Sequence, residues 1–304
     1  MNWGNILACL SFFIIPFLGG NHLSLYYVTI DRFWIETTFL ICLLLAVFLR
    51  FFTPKRCAAE PSSLWADLKV FVCFSVFFLP YAFVNILSLS YTWNIYKTLI
   101  ELNTMAWISG SVYIYLVSDK KDKLLKALVA GTGLSAICAA IQIKVLFPNL
   151  LEIFRGEGYG HVVMAQAIPI SSFLYHNVLG GFFASVLPIG LFFGIFKKKS
   201  LYTIASSLII AGLILTTSRI GMSIAALALI FTVLKLIWTR QHKRLFVFAG
   251  MLFLSCVIVF LLLHGKSDDP GTGRELVNKL KSTRQLTYST GQRLDIWRNG
   301  VITF

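Results

Sequence analysis

The chain has 304 residues, of which 57% are hydrophobic and 13% are charged, and its formal net charge at pH 7 is +14. A soluble domain of this length needs far more polar surface, so the composition excludes that class and indicates an integral membrane protein. The apolar runs are continuous rather than alternating, which favours membrane-spanning helices over an outer-membrane barrel.

Nine apolar runs are long enough, or nearly so, to cross ~30 Å of hydrocarbon. In chain order they are residues 3–20, 34–52, 70–89, 99–117, 124–146, 178–196, 201–217, 220–238 and 245–263. The sequence therefore predicts an all-α polytopic membrane protein in which residues 1–264 form a bundle of about nine transmembrane helices. Residues 265–304 are predicted to be a loop segment with short amphipathic helices.

Lysine and arginine are distributed unevenly between alternate loops and span ends. One set of these regions holds 15 such residues, and the other holds only five: Arg32, Lys97, Lys144, Arg155 and Arg219. Basic residues accumulate on the cytoplasmic side, so the N-terminus and loops 53–69, 118–123, 197–200 and 239–244 are predicted to be cytoplasmic. Arg219 and residues 265–304 then lie outside. This bias accounts for most of the net charge, and no nucleic-acid partner is predicted.

Two further patterns speak against bound cofactors. The six cysteines show no C-x-x-C or Cys/His spacing, and five of them lie inside apolar runs, which predicts neither a disulfide nor a metal site. The glycines of "GEGYG" at 156–160 lack the lysine and flanking strand of a phosphate-binding loop. The sequence predicts no cofactor.

A lone arginine interrupts two apolar runs in "LILTTSRIGM", residues 213–222. Arg219 has no acidic neighbour there, and a cation near the centre of a membrane helix costs roughly 2.5–3.5 kcal/mol. Arginine offers a rigid fork of N–H donors that suits phosphate. Two interpretations stay open, since Arg219 could anchor a helical hairpin turn at the interface or bind an anion.

Other candidate residues lie on the same predicted face. His176 and Asn177 stand at the start of the sixth span. Asn177 could cap the helix beside an interfacial histidine, or both residues could belong to a binding site. Lys144 lies near the end of the fifth span, where its long side chain can extend the ammonium group to the interface.

In the last residues, an apolar stripe predicts an amphipathic helix with Arg293 in its first turn and Arg298 on its polar flank. The stripe consists of Leu294, Trp297, Val301 and Phe304. Solvated arginines on an ordinary interfacial helix are the alternative there.

Three short motifs resemble one known superfamily. They are "HNVLGGFFASVLPIGL" from His176, "TTSRIG" from Thr216 and "GQRLDIW" from Gly291. Together they are similar to the O-antigen ligases and O-antigen polymerases, which are glycan transferases of the bacterial inner membrane. The resemblance covers roughly residues 120–304, with the motifs in the family's order.

The resemblance implies a metal-independent, GT-C-like glycosyltransferase at the outer face of the inner membrane. It would move a glycan from undecaprenyl diphosphate to the hydroxyl of a glycan, a lipid A-core or another acceptor. Arg219 and Arg293 match the family's catalytic arginines, and His176, Asn177 and Arg298 are the candidate substrate-binding residues. The family's acceptor-activating histidine has no match here, so the chain resembles a C-terminally truncated member and no general base is assigned.

Several functions remain open at this point. Ligase, polymerase and protein O-oligosaccharyltransferase share the motifs, and the acceptor is not readable from them. Outside the family, an anion-binding membrane transporter or a non-catalytic membrane component of polysaccharide assembly would also place a cation at this turn.

The topology can be tested by cysteine labelling. In a cysteine-free background, Thr287→Cys is expected to react with a membrane-impermeant maleimide in outer-membrane-permeabilised cells, because residues 265–304 are predicted to lie outside. Lys198→Cys is the control and is expected to react only after lysis. Protection of residue 287 would contradict the orientation.

Overall fold

The computed structural model describes residues 3–17, 22–25, 28–31, 110–112, 114–116, 118, 120–146 and 176–263. Helix α1 (Trp3–Ile14) is followed by a 3₁₀ turn (Ile15–Phe17) and by two antiparallel strands, β1 (His22–Leu25) and β2 (Val28–Asp31), which pair His22 with Asp31. The longer helices are α2 (Lys121–Ile141), α3 (His176–Leu191), α4 (Ser200–Leu215), α5 (Arg219–Trp238) and α6 (His242–Leu263). Wider π turns extend α2 through Gln142–Leu146 and α3 through Phe192–Phe196.

Four of these helical segments are long and apolar enough to cross a membrane. They are Lys121–Val145, Val178–Phe196, Arg219–Trp238 and His242–Leu263, and the shorter apolar helices are Asn5–Phe17 and Ser200–Leu215. The predicted helical, membrane-compatible architecture is therefore confirmed in the described part. The predicted spans 34–52 and 70–89, and most of 99–117, lie outside the described residues, so the number of nine spans stays a prediction. The short β-hairpin was not predicted.

Helix α4 lies at the centre of the described bundle and packs against α2, α3 and α6, while α1 packs on α2. The main apolar core lies between α2, α3, α4, α5 and α6 and includes Leu179, Phe183 and Ile209, while α1 and α2 share a separate small cluster around Phe12 and Leu124. Two hydroxyls add polar contacts between α4 and α6, since Ser207 donates to the Met251 carbonyl at 3.3 Å and Ser255 donates to the Ser207 carbonyl at 3.1 Å. Such interhelical hydrogen bonds stabilise membrane helices where water is absent.

Helix α5 does not pack along α4, although only three residues separate them. It diverges from α4 and packs mainly on α3, with a smaller contact to α6. The sequence predicts a tight helical hairpin between residues 201 and 238. The short turn agrees with that prediction, but α5 leaves α4 and packs on α3, where Gly180 and Gly221 allow close contact of the two backbones.

Gly131 of α2 allows α1 to approach closely. A Cβ at Gly131 would overlap the carbonyl oxygen of Phe13, whereas a Cβ at Gly250 in α6 would meet nothing within 4 Å. Gly131→Ala is expected to cost about 1–3 kcal/mol through overpacking. Gly250→Ala is expected to be neutral or stabilising by up to about 1 kcal/mol, since alanine favours the helix.

Thermal unfolding of the purified protein in detergent measures both changes. Equal midpoints for the two variants would show that the contact between α1 and α2 does not require a glycine.

Candidate anion-binding site

The turn between α4 and α5 reverses the chain with an unusual backbone conformation. Thr217 has a φ of 53°, in the left-handed region that normally takes glycine at a helix end. Its N–H donates to the Ile214 carbonyl at 3.1 Å, which closes the last turn of α4. A β-branched residue in this region costs on the order of 1–3 kcal/mol. The reversal makes Arg219 the first residue of α5.

Two buried hydroxyl groups stabilise this turn through hydrogen bonds within it. Thr216 is 0% exposed and Ser218 is 1% exposed. The Thr216 hydroxyl donates to the Leu213 carbonyl at 2.7 Å and accepts from the Ser218 N–H at 3.4 Å. The Ser218 hydroxyl caps α5 by accepting from the Gly221 N–H at 3.3 Å. Both hydroxyls are buried and bond within the turn, so they fix its shape.

Helix α3 contacts this turn directly through its backbone. A Cβ at Gly180 would overlap the Ser218 side chain and lie 2.9 Å from the Thr216 hydroxyl oxygen. A Cβ at Gly221 would lie 2.7 Å from the Gly180 carbonyl oxygen. Helix α3 begins at His176, about one turn before this contact. The N-termini of α3 and α5 therefore lie side by side at the same end of the bundle.

Positive electrostatic potential concentrates where these two helices begin. Each helix N-terminus carries roughly half a positive elementary charge, and neither first turn contains an acidic residue. The Arg219 side chain is exposed, and it forms no ion pair within the described part of the chain. Residues 176–263 contain no Asp or Glu at all. This end of the bundle is therefore suited to an anion.

Two backbone donors are also available in the first turn of α5. The N–H groups of Gly221 and Met222 are used by the Ser218 hydroxyl and the Ser218 carbonyl. Within the described residues, the N–H groups of Arg219 and Ile220 have no acceptor. These two amides lie next to the start of the Arg219 side chain. The guanidinium and the two N–H groups can therefore donate hydrogen bonds to the oxygens of one anion.

Lys144 is a second cation at the same end. The neighbouring Ile143 and the last α4 residue, Leu215, share a small buried cluster that is completed by Val259, Leu262 and Leu263 of α6. The half-buried Lys144 in the π turn of α2 is therefore near the level of the Thr216–Ser218 turn. The sequence interpretation of an interfacial cation on the same side as Arg219 is compatible with this place.

The predicted site residues differ in what the structure describes. Arg219 lies at the candidate site. His176 and Asn177 are the first residues of the adjacent α3, and their side chains lie outside the described residues, as do Arg293 and Arg298 entirely. Four residues that build the turn, Gly180, Thr216, Ser218 and Gly221, lie in the motifs quoted from the sequence, but sequence reasoning assigned none of them this role. The paired glycines and the Thr-Thr-Ser run were the available signal.

Within the described residues, no group of three or more His, Cys, Asp and Glu side chains could hold a metal ion. Comparison of the sequence with protein-family models, with curated proteins and with solved structures gives no match.

Neighbouring glycines provide a matched test of the contact between α3 and the turn. Gly180→Ala is expected to push α3 away from Ser218 and to lower the free energy of unfolding by about 1–3 kcal/mol. Gly181→Ala is the control, because a Cβ there meets nothing within 4 Å. Thermal unfolding in detergent should separate the two variants, and an unchanged midpoint for Gly180→Ala would refute the backbone contact.

Proposed function

We propose that this chain is a glycosyltransferase of the bacterial inner membrane. It moves a glycan from undecaprenyl diphosphate to an acceptor hydroxyl at the outer face, without a metal, as an O-antigen or polysaccharide ligase or polymerase. The observation that carries the proposal is the exposed Arg219, which forms no ion pair within the described part of the chain and lies at the start of α5, beside the start of α3. There, within the described residues, a guanidinium lies beside two backbone amides that have no acceptor, and this set of donors suits a diphosphate.

The chemistry of the reaction fits such a site. The acceptor hydroxyl oxygen forms a bond to the anomeric carbon, and the bond from that carbon to the diphosphate oxygen breaks. The bonding electrons leave with the diphosphate, whose negative charge rises in the transition state. Fixed donors aimed at the departing oxygens stabilise this charge, and electrostatic stabilisation of this kind usually contributes more to catalysis than any other effect. The acceptor proton passes to a base that we do not assign.

The distribution of cations along the bundle supports an outward-facing site. Lys126 of α2 and Lys235 of α5 lie over the rings of Phe193 and Phe196, at distances of 5.1 Å and 5.0 Å from the ring centroids. These contacts show that the lysine-rich ends of α2, α3 and α5 lie together, at the end of the bundle opposite Arg219. If the lysine-rich end faces the cytoplasm, as the bias of basic residues favours, Arg219 faces outward.

The remaining site residues enter the proposal from the sequence. Arg293 completes the clamp on the diphosphate from the outer loop. His176, Asn177 and Arg298 contact the glycan or the acceptor. Lys144 adds long-range positive charge at the same end. The acceptor is a glycan, lipid A-core or another hydroxyl compound.

Substitution of Arg219 tests the proposal directly. Arg219→Ala is expected to lower transfer from a purified lipid-linked donor by a hundredfold to a thousandfold, corresponding to about 2.7–4 kcal/mol of transition-state stabilisation. Arg219→Lys should recover little, because lysine keeps the charge but loses the two-pronged fork. Lys123→Ala removes one charge at the opposite end and should leave transfer unchanged. The assay uses the full-length chain in proteoliposomes.

A wild-type rate for Arg219→Ala would overturn the role of Arg219. Absence of transfer by the wild type, together with donor-independent anion flux across the same proteoliposomes, would favour the transporter interpretation instead.

A further inference from the structure

A second concentration of positive charge lies at the opposite end of the bundle, where α3 and α5 end and α4 and α6 begin. We call it the basic rim, and it consists of Lys197, Lys198, Lys199, Lys235, Arg240, Lys243 and Arg244. All of these except the half-buried Arg244 are exposed. Residues 176–263 provide no carboxylate, and at this end Asp122 in the first turn of α2 is the one acidic residue among the described ones. The charge of the rim is therefore not neutralised within the described structure.

Aromatic rings fix some of these ammonium groups at the level of the helix ends. The Lys235 Nζ lies 5.0 Å from the centroid of Phe196, and the Lys197 Nζ lies 5.5 Å from that of Phe192. A cation over an aromatic face is attracted by the ring quadrupole, so these lysines are held against the protein rather than extended into water. The rim thus carries cations at defined positions along the boundary of the apolar surface.

Large apolar side chains are exposed immediately beside these cations. Trp238 is 88% exposed and Phe246 is 79% exposed, and each lies within one helical turn of a rim residue. Leu201 follows the three lysines at the start of α4 and is 63% exposed. A ligand that matches this surface has phosphate at one end and long apolar chains at the other. A soluble phosphate would leave the apolar part uncovered.

We propose that the basic rim is a binding site for an anionic phospholipid. The lipid phosphate contacts Lys197, Lys199 and Lys235, and its acyl chains lie along the apolar surface near Trp238. Basic pockets at the ends of membrane helices suit such headgroups, and tryptophan prefers this interfacial depth. This site is at the opposite end from Arg219 and is independent of the glycosyltransferase proposal.

A pair of triple variants with equal charge change tests the site. The rim variant is Lys197→Gln/Lys199→Gln/Lys235→Gln, and the control is Lys120→Gln/Lys121→Gln/Lys123→Gln at the start of α2. Purified full-length protein in neutral detergent is titrated with phosphatidylglycerol, and bound lipid is counted by native mass spectrometry. Each lysine near a membrane surface is worth about fivefold in affinity. The rim variant should therefore bind on the order of a hundredfold more weakly, and the control should stay near the wild type.

Three outcomes would overturn the proposal. These are equal losses in both variants, equal binding of phosphatidylcholine, or full displacement of the lipid by inorganic phosphate at the same concentration. If the rim variant does not fold, Phe196→Leu keeps an apolar side chain and removes the ring under Lys235. It is expected to weaken phosphatidylglycerol binding about two- to fivefold, and unchanged binding would also contradict the proposal.

Discussion

The candidate site depends on one backbone contact, the approach of α3 at Gly180 to the Thr216–Ser218 turn. Helix α5 diverges from α4, so the turn alone does not fix where α5 lies. The missing side chains at Gly180 and Gly221 let the two helices touch, and this contact aligns their N-termini. A larger residue at either position would separate two partial positive charges that now act at the same place. Packing and electrostatics at this end therefore have a common cause.

The absence of carboxylates from residues 176–263 has consequences at both ends of the bundle. Positive charge in a folded protein is normally balanced by nearby acidic groups, by water or by bound anions. Here the described helices offer no acidic partner to Arg219. At the end that carries the basic rim, the described residues include one acidic residue, Asp122. Each end is therefore prepared for an anion, a diphosphate in one proposal and a lipid headgroup in the other.

Much of the helical architecture was predictable because hydrophobicity alone determines which segments suit a membrane. Residues 220–238 and 245–263 were predicted as spans, and the observed helices are Arg219–Trp238 and His242–Leu263. The packing of α5 on α3 was not predictable, because neighbouring helices in sequence are the usual partners and an absent glycine side chain gives no periodic signal. Arg219 was found as an isolated cation among apolar residues. The hydrogen bonds of Thr216 and Ser218 within the turn depend on backbone geometry, which the amino-acid composition does not reveal.

The position of Arg219 within α5 helps to decide between anchoring and binding. A cation is unfavourable at a helix N-terminus and favourable at a C-terminus, by about 0.3–1 kcal/mol at an exposed site. An anchor for the turn would therefore be better placed in the last turn of α4 than at the first position of α5. Arg219 instead adds its charge to the dipoles of two helices and to two amides without acceptors in the described part. This arrangement is repulsive when empty and becomes favourable when an anion is present. Under the proposed function, the same fixed positive charge would stabilise the negative charge that rises on the leaving diphosphate as its bond to the glycan breaks.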